Sequence, residues 1–418
     1  MAQQSKWGSI IAGVSVLFIC VATLTPGTPP SAAALAECHG WCADSLVADF
    51  LRNIVLFMPL GFGLRLAGVR TSRAMLLGSC LSATVELLQI RIIVGRDASA
   101  LDWISNSLGT IAGALLAAHL SSLTRPRPRT AAALSALALS LWVGLLVLGA
   151  WGIQPAPSDD PYWGQRAPEL GDAPPFRGEL LSARVNGLEI PSARLVNDDT
   201  IRAPLAAGRI RIEAVVRPGP APAPGGVAPI ARIADGARRE IFMLGRGGKE
   251  LVFRVRLRAS TLRLETPAFA LAGAFQDGQN VDPKAASSPE SLFASVDAGR
   301  VRLAARQAGA RSREFDLSPA VAWSFFLPWD YWFGPNAAWI SQLWLGALLF
   351  PVGYWAALAE RDARRTVLIT TTLVVVTLIL VPPLFSLPRV RLSHVLASLA
   401  GVALGWALGR ARQNQARI

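Results

Sequence analysis

Residues 53–66 read NIVLFMPLGFGLRL, residues 82–90 read SATVELLQI, and residues 95–116 read GRDASALDWISNSLGTIAGALL. Each stretch belongs to an apolar segment long enough to cross a bilayer. The first carries Asn53, the second Glu86 and Gln89, and the third opens with Asp102 and Asn106. Ionisable and amide groups inside such segments are costly unless they pair or face a polar cavity, so their default reading is functional. For Asn53 and Asn106 the other reading, amides that only join neighbouring helices, stays open. Ser82, Glu86 and Gln89 are spaced i, i+4, i+7 and share one helical face.

Together, Asn53, the run Phe57-Met58-Pro59-Leu60-Gly61, Glu86 with Gln89, Arg96, and the series Asp102, Asn106, Gly109, Gly113 resemble the VanZ-like family in order and spacing. The resemblance covers roughly residues 7 to 122. It implies a helical membrane fold and a bacterial envelope setting, in a family whose founding member is associated with resistance to the glycopeptide teicoplanin. It implies no particular reaction. Pro59, Gly61, Gly109 and Gly113 enter as structural positions of the motif.

The composition combines a membrane protein with a soluble domain. Of 418 residues 52% are hydrophobic and 17% charged, yet residues 151 to 320 contain no spanning segment. Eight spans of about 20 residues, the length a bilayer requires, can be drawn at 7–24, 46–66, 74–94, 102–122, 131–150, 337–359, 366–386 and 392–409. The net charge of +13 would suggest nucleic acid in a soluble protein. Here much of it is arginine beside apolar spans, so no nucleic-acid partner is expected.

Alternate connections are basic: Arg65, Arg70 and Arg73; Arg125, Arg127 and Arg129; Arg361, Arg364 and Arg365; Arg410, Arg412 and Arg417. With Lys6 on the same side, these loops are expected to be cytoplasmic. The expected location is thus the bacterial cytoplasmic (inner) membrane, with both termini inside and the large central segment periplasmic or extracellular. Arg91, Arg96, Arg389 and Arg391 lie on the opposite side, Arg96 beside Asp97. At 1.5 Å per residue Asn53 and Glu86 then lie ~10 and ~12 Å below the outer edge. Asp102 and Asn106 enter from that edge, and Arg96, Asp97 and Asp102 rim the opening.

A shift of 292 residues without a gap aligns Pro59 with Pro351, Gly61 with Gly353, Arg73 with Arg365, Gly109 with Gly401 and Gly113 with Gly405. This indicates a parallel internal duplication. The second copy lacks the polar set: Asn53 falls on Leu345, Glu86 on Leu378, Gln89 on Val381, Asp102 on His394 and Asn106 on Ser398. It is expected to be a structural half, with His394 an interfacial residue.

Between the fifth and sixth spans the chain turns polar and strand-like. A Pro-rich stretch, 151–177, reads as a linker. After it, runs beginning at residues 179, 209, 227, 239, 261, 291 and 312 alternate apolar and polar residues, as half-buried strands do. A hairpin is expected at residues 245–249. Many short strands and no amphipathic helix predict an all-β sandwich over residues 178–318. This region is similar to concanavalin A-like (laminin-G-like) jelly rolls, in the order of residues 210–218, 229–236 and 295–303. Such relatives often bind glycans; no Asp/Asn cluster marks a calcium site here. Residues 319–336, with Trp329, Tyr331 and Trp332, read as an aromatic segment along the membrane interface.

The fold class expected is an α-helical polytopic membrane protein with an inserted jelly-roll sandwich. Residues 1–150 hold spans one to five and residues 337–418 the degenerate second repeat. The candidate pocket comprises Asn53, Ser82, Glu86, Gln89, Arg96, Asp97, Asp102 and Asn106. The expected partners are membrane lipid and a lipid-linked or surface glycan. An enzyme using Glu86 and Asp102 as acid and base is the alternative, but no nucleophile, metal set or phosphate loop supports it. A proton-coupled transporter is a third reading, lacking a polar path through the second half. No cofactor is expected. Cys38 and Cys42, flanking His39, allow a small disulfide, and no metal is expected there for want of further ligands.

Overall fold

The computed structural model describes residues 2–26, 46–93, 99–167, 174–222, 226–275, 288–306, 310–326, 332–333, 336–359 and 363–415. Cys38, Cys42, Arg96, Asp97, Trp329 and Tyr331 lie outside them. The chain divides into two compact units, Met1–Arg127 and Pro128–Ile418.

The first unit is built from helices α1 (Ala2–Leu24), α2 (Leu46–Leu66), α3 (Thr71–Arg91) and α4 (Ala100–Ala118). The second contains α5 (Pro128–Gly152), α6 (Ala337–Ala359), α7 (Ala363–Leu384) and α8 (Leu392–Gln415) around a β-domain. Among the described residues six helices are long and apolar enough to cross a membrane: α1, α2, α5, α6, α7 and α8. The sequence predicts eight spans, and helices occupy all eight positions. Polar residues concentrated on α3 and α4 set these two apart from the others.

Within each unit the second and fourth helices meet backbone to backbone. A Cβ on Gly61 would collide with the Thr110 carbonyl, one on Gly109 with the Ile54 carbonyl, and one on Gly113 with the Met58 carbonyl. In the second unit Gly353 meets the Val402 carbonyl, Gly401 that of Gly346, and Gly405 that of Phe350. Every one of these partners is displaced by the same 292 residues. Small residues at such crossings let helices approach closely, and close packing is what holds helices together where lipid leaves no hydrophobic drive. Pro59 and Pro351, also 292 apart, lie inside their helices and remove one backbone donor each.

The β-domain contains two six-stranded sheets, one ordered β1 (Tyr162–Arg166), β5 (Ala228–Asp235), β6 (Glu240–Gly247), β7 (Glu250–Val255), β8 (Ala268–Leu271), β12 (Trp332–Phe333), the other β11 (Arg311–Asp316), β10 (Arg300–Arg306), β9 (Glu290–Asp297), β4 (Arg209–Arg217), β2 (Glu179–Val185), β3 (Leu188–Glu189). Pairing is antiparallel except between β12 (Trp332–Phe333) and β8 (Ala268–Leu271). The predicted alternation produces the strands directly. β4 (Arg209–Arg217) buries Ile210, Ile212, Ala214 and Val216, and β9 (Glu290–Asp297) buries Leu292, Ala294 and Val296. Phe269 on β8 and Phe315 on β11 (Arg311–Asp316) pack across from one sheet to the other at 5.5 Å. Two hairpins use residues with positive φ at both turn positions, Asn186-Gly187 and Ala298-Gly299, as two-residue turns matching strand twist require. The expected hairpin joins β6 (Glu240–Gly247) to β7 (Glu250–Val255).

Three local readings change. β1 (Tyr162–Arg166) lies inside the stretch read as a linker and pairs with β5 (Ala228–Asp235). A short amphipathic helix, Asp199–Ala206, buries Ile201 and Leu205, where none is expected. The run from residue 261 is not a strand: a 3-10 turn at Arg258–Leu262 ends on Arg263 at φ 54°.

The sandwich is tied to its own helices by polar contacts. Arg391 before α8 donates to Asp316 Oδ2 from Nε and Nη2, at 3.1 and 2.8 Å, which gives this arginine a structural reason. Gln154 donates to the Phe385 carbonyl at 2.8 Å, and the Trp323 indole donates to Ser341 Oγ at 2.8 Å.

Candidate functional site

The polar residues of the first unit gather where α2 begins, α3 ends and α4 begins. Ser99 caps α4, its hydroxyl accepting from the Leu101 N–H at 3.2 Å. That helix start offers unsatisfied backbone donors and a positive dipole end. Glu86 reaches it from α3 and accepts the Ser99 N–H at 2.9 Å. Asp102, in the first turn, accepts from Asn53 Nδ2 at 2.9 Å. Asp102 lies within electrostatic reach of both Glu86 and Arg52. Arg52 pairs with Asp49 one turn away on α2.

One turn deeper, Asn106 donates from Nδ2 to Ser82 Oγ at 2.9 Å. Ser82 is fully buried and Asn106 is 3% exposed. Asn106 Oδ1 is buried and has no hydrogen-bond partner among the described residues. Turning the amide round would leave its nitrogen in that position instead, so one polar atom goes unanswered either way. A buried polar atom without a partner costs about 1–3 kcal/mol.

The structure therefore brings Asn53, Ser82, Glu86, Asp102 and Asn106 together. Gln89 has another task, donating to the Thr23 carbonyl of α1 at 2.9 Å. Its place on the Ser82–Glu86 face cannot reveal this, because the partner comes from a different helix. Reasoning from sequence also passes over a second set of contacts between α3 and α4. There Ser79 and Ser107 hydroxyls meet at 2.7 Å, and the Trp103 indole donates to the Ser79 carbonyl at 3.2 Å. Small hydroxyl residues in apolar helices were the available signal.

The equivalent place in the second unit is packed with hydrocarbon. Leu345, Val374 and Leu378, at the positions of Asn53, Ser82 and Glu86, are at most 2% exposed and belong to one apolar cluster with Trp142 and Val402. His394, at the position of Asp102, lies in the first turn of α8. It is 6% exposed, and neither ring nitrogen has a partner among the described residues. Among the described residues no group of three or more His, Cys, Asp or Glu side chains could hold a metal ion.

Residues 16–121 match the family model VanZ/LLP1, so the N-terminal part of the chain is VanZ-like and the chain is a membrane protein. No curated protein and no solved structure matches the chain.

Proposed function

We propose that this is an envelope protein whose N-terminal pocket seats the polar head of a lipid-linked or surface glycan at the outer leaflet. The observation that carries the reading is the buried Asn106 Oδ1, without a hydrogen-bond partner among the described residues, one turn below two carboxylates, Glu86 and Asp102. Those groups are rich in acceptors, and a ligand bearing several hydroxyl donors suits them. A sugar head group on a lipid carrier supplies such donors at the right depth. In this reading all eight long helices cross the membrane, both termini are cytoplasmic, and the β-domain is an extracytoplasmic jelly roll. The helices of the second unit, with a hydrocarbon core where the first has its pocket, act as the scaffold of a duplicated fold. Lowered sensitivity to a glycopeptide such as teicoplanin would follow from occupancy of the same carrier lipid.

Two measurements test this. Cysteine placed at Val196, which is 94% exposed on the β-domain, is expected to react with an impermeant maleimide on intact cells, and one at Arg127 is not. The reverse pattern would end the topology. Mass spectrometry of lipid retained by the detergent-solubilised protein is expected to find a glycan-bearing lipid with the wild type. Far less should remain with Glu86→Gln or Asp102→Asn at unchanged expression. Equal retention by these variants would remove the pocket from the binding site, and turnover of the retained lipid would favour the acid–base enzyme instead.

A further inference from the structure

The polar pocket holds more acceptors than its own donors answer, and its two carboxylates repel one another. Glu86 spends Oε2 on the Ser99 N–H, and Asp102 spends Oδ1 on Asn53 Nδ2. Among the described residues the other oxygen of each, Glu86 Oε1 and Asp102 Oδ2, accepts no hydrogen bond, and neither group forms an ion pair. The Asp102 charge bears on Glu86 with the same sign. Arg52 attracts Asp102 from α2 but is paired with Asp49. Arg91, in the last turn of α3, is exposed and pairs with neither. Both carboxylates are half-buried, so an incoming group can touch them.

Asn106 is an independent observation at the same place. It is 3% exposed, and its Nδ2 reaches across from α4 to Ser82 Oγ on α3, which directs the amide into the seam between the helices that carry the two carboxylates. Its Oδ1 is buried and accepts nothing among the described residues. A sugar hydroxyl brings one donor to this set and leaves both charges uncompensated, and charge within apolar helices is held by pairing. A primary ammonium brings three donors, no acceptor and a positive charge. Hydrogen bonds between ionised partners are also the strong ones. A calcium ion asks for six to eight oxygens, and among the described residues no third acidic, histidine or cysteine side chain joins these two.

We infer that the head group seated in this pocket is an amino sugar, its protonated primary amine held by Glu86 and Asp102 with Asn106 Oδ1 as the third acceptor. The inference rests on the reading of the pocket as a glycan-lipid site and narrows the glycan to one with a free amine. N-acetylation of that amine removes both the charge and two of the donors.

The test measures, by calorimetry on the full chain in detergent at pH 7, binding of an alkyl glucosaminide and of its N-acetyl counterpart. The free amine is expected to bind at least about tenfold more tightly, the loss that goes with a single hydrogen bond to a charged group. In Glu86→Gln and in Asp102→Asn, amides of the same shape without the charge, the preference should fall toward unity. Equal affinity of the wild type for the two compounds would overturn the amine and leave the glycan reading in place. Failure of both compounds to bind a wild type that retains no glycan-bearing lipid would end both readings. A preference that survives both variants would put the amine elsewhere, and full displacement of the amine by millimolar calcium chloride at matched ionic strength would make this a metal site; either result overturns the inference. The wild-type comparison involves no substitution, so it decides the matter even where a variant fails to fold.

Discussion

Alanine at Gly113 is expected to destabilise the first unit by about 3 kcal/mol, the upper range for overpacking, although alanine is the better helix former. The added methyl would meet the Met58 carbonyl and the Phe62 nitrogen, which are backbone atoms that no rotamer change can move aside. The α2–α4 crossing must open to admit it. Gly13 is the internal control, since nothing lies within 4 Å of a Cβ built there. At that site alanine should be neutral or stabilising by about 0.5–1 kcal/mol, the usual helix penalty of glycine. Thermal unfolding in detergent distinguishes the two. Gly405→Ala against Gly144→Ala repeats the comparison in the second unit, where the Phe350 carbonyl and Tyr354 nitrogen take the parts of Met58 and Phe62. The same crossing sets the pocket: Gly109 approaches the Ile54 carbonyl, the neighbour of Asn53, and Asn53 lies 2.9 Å from Asp102. Gly109→Ala should therefore weaken ligand retention as well as stability. A melting temperature raised equally by Gly113→Ala and Gly13→Ala would refute backbone contact at the crossing.

That crossing is legible in the sequence, because glycines repeating at a fixed offset in otherwise apolar helices have few other uses. The convergence of Asn53, Glu86, Asp102 and Asn106 was legible too, since helix rise and loop placement fix depth. What depth cannot supply is the partner. Gln89 sits on the Glu86 face yet serves α1 through the Thr23 carbonyl, and the Ser99 N–H that holds Glu86 belongs to a cap whose geometry exists only once α4 has formed. The clean alternation from residue 209 matches β4 to within a residue of its ends, whereas the run from residue 291 is split by the Ala298-Gly299 turn into β9 and β10. The run from residue 261 alternates as well, but Arg263 takes a left-handed conformation there and the chain turns toward the helices. Periodicity reports a face to bury, and the surface that buries it is set by tertiary packing.

Glu290 shows the limit of periodicity most directly, and it carries the second large effect. It occupies an inward position of β9, paired with Val216 and followed on the same face by Leu292, Ala294 and Val296. It is 1% exposed, and neither carboxyl oxygen has a hydrogen-bond partner among the described residues. Burial raises its pKa from 4.5 to about 7, against a smaller opposing pull from the Arg246 charge. Arg246 is itself committed to the Gly248 and Gly219 carbonyls at 2.8 and 2.6 Å and to the face of Phe275. Between pH 4.5 and about 7 the folded chain keeps a proton that the unfolded chain has lost. This group therefore makes the sandwich lose stability as pH rises through that window, by about 3 kcal/mol in all. Glutamine has the same shape and no charge to desolvate. Glu290→Gln is expected to match the wild type near pH 4 and to exceed it by about 3 kcal/mol near pH 8, read from unfolding of the β-structure at the two pH values. A wild-type profile that is flat across this range, or a glutamine variant less stable near pH 8, would mean that ionised Glu290 finds a partner and that Arg246 turns toward it.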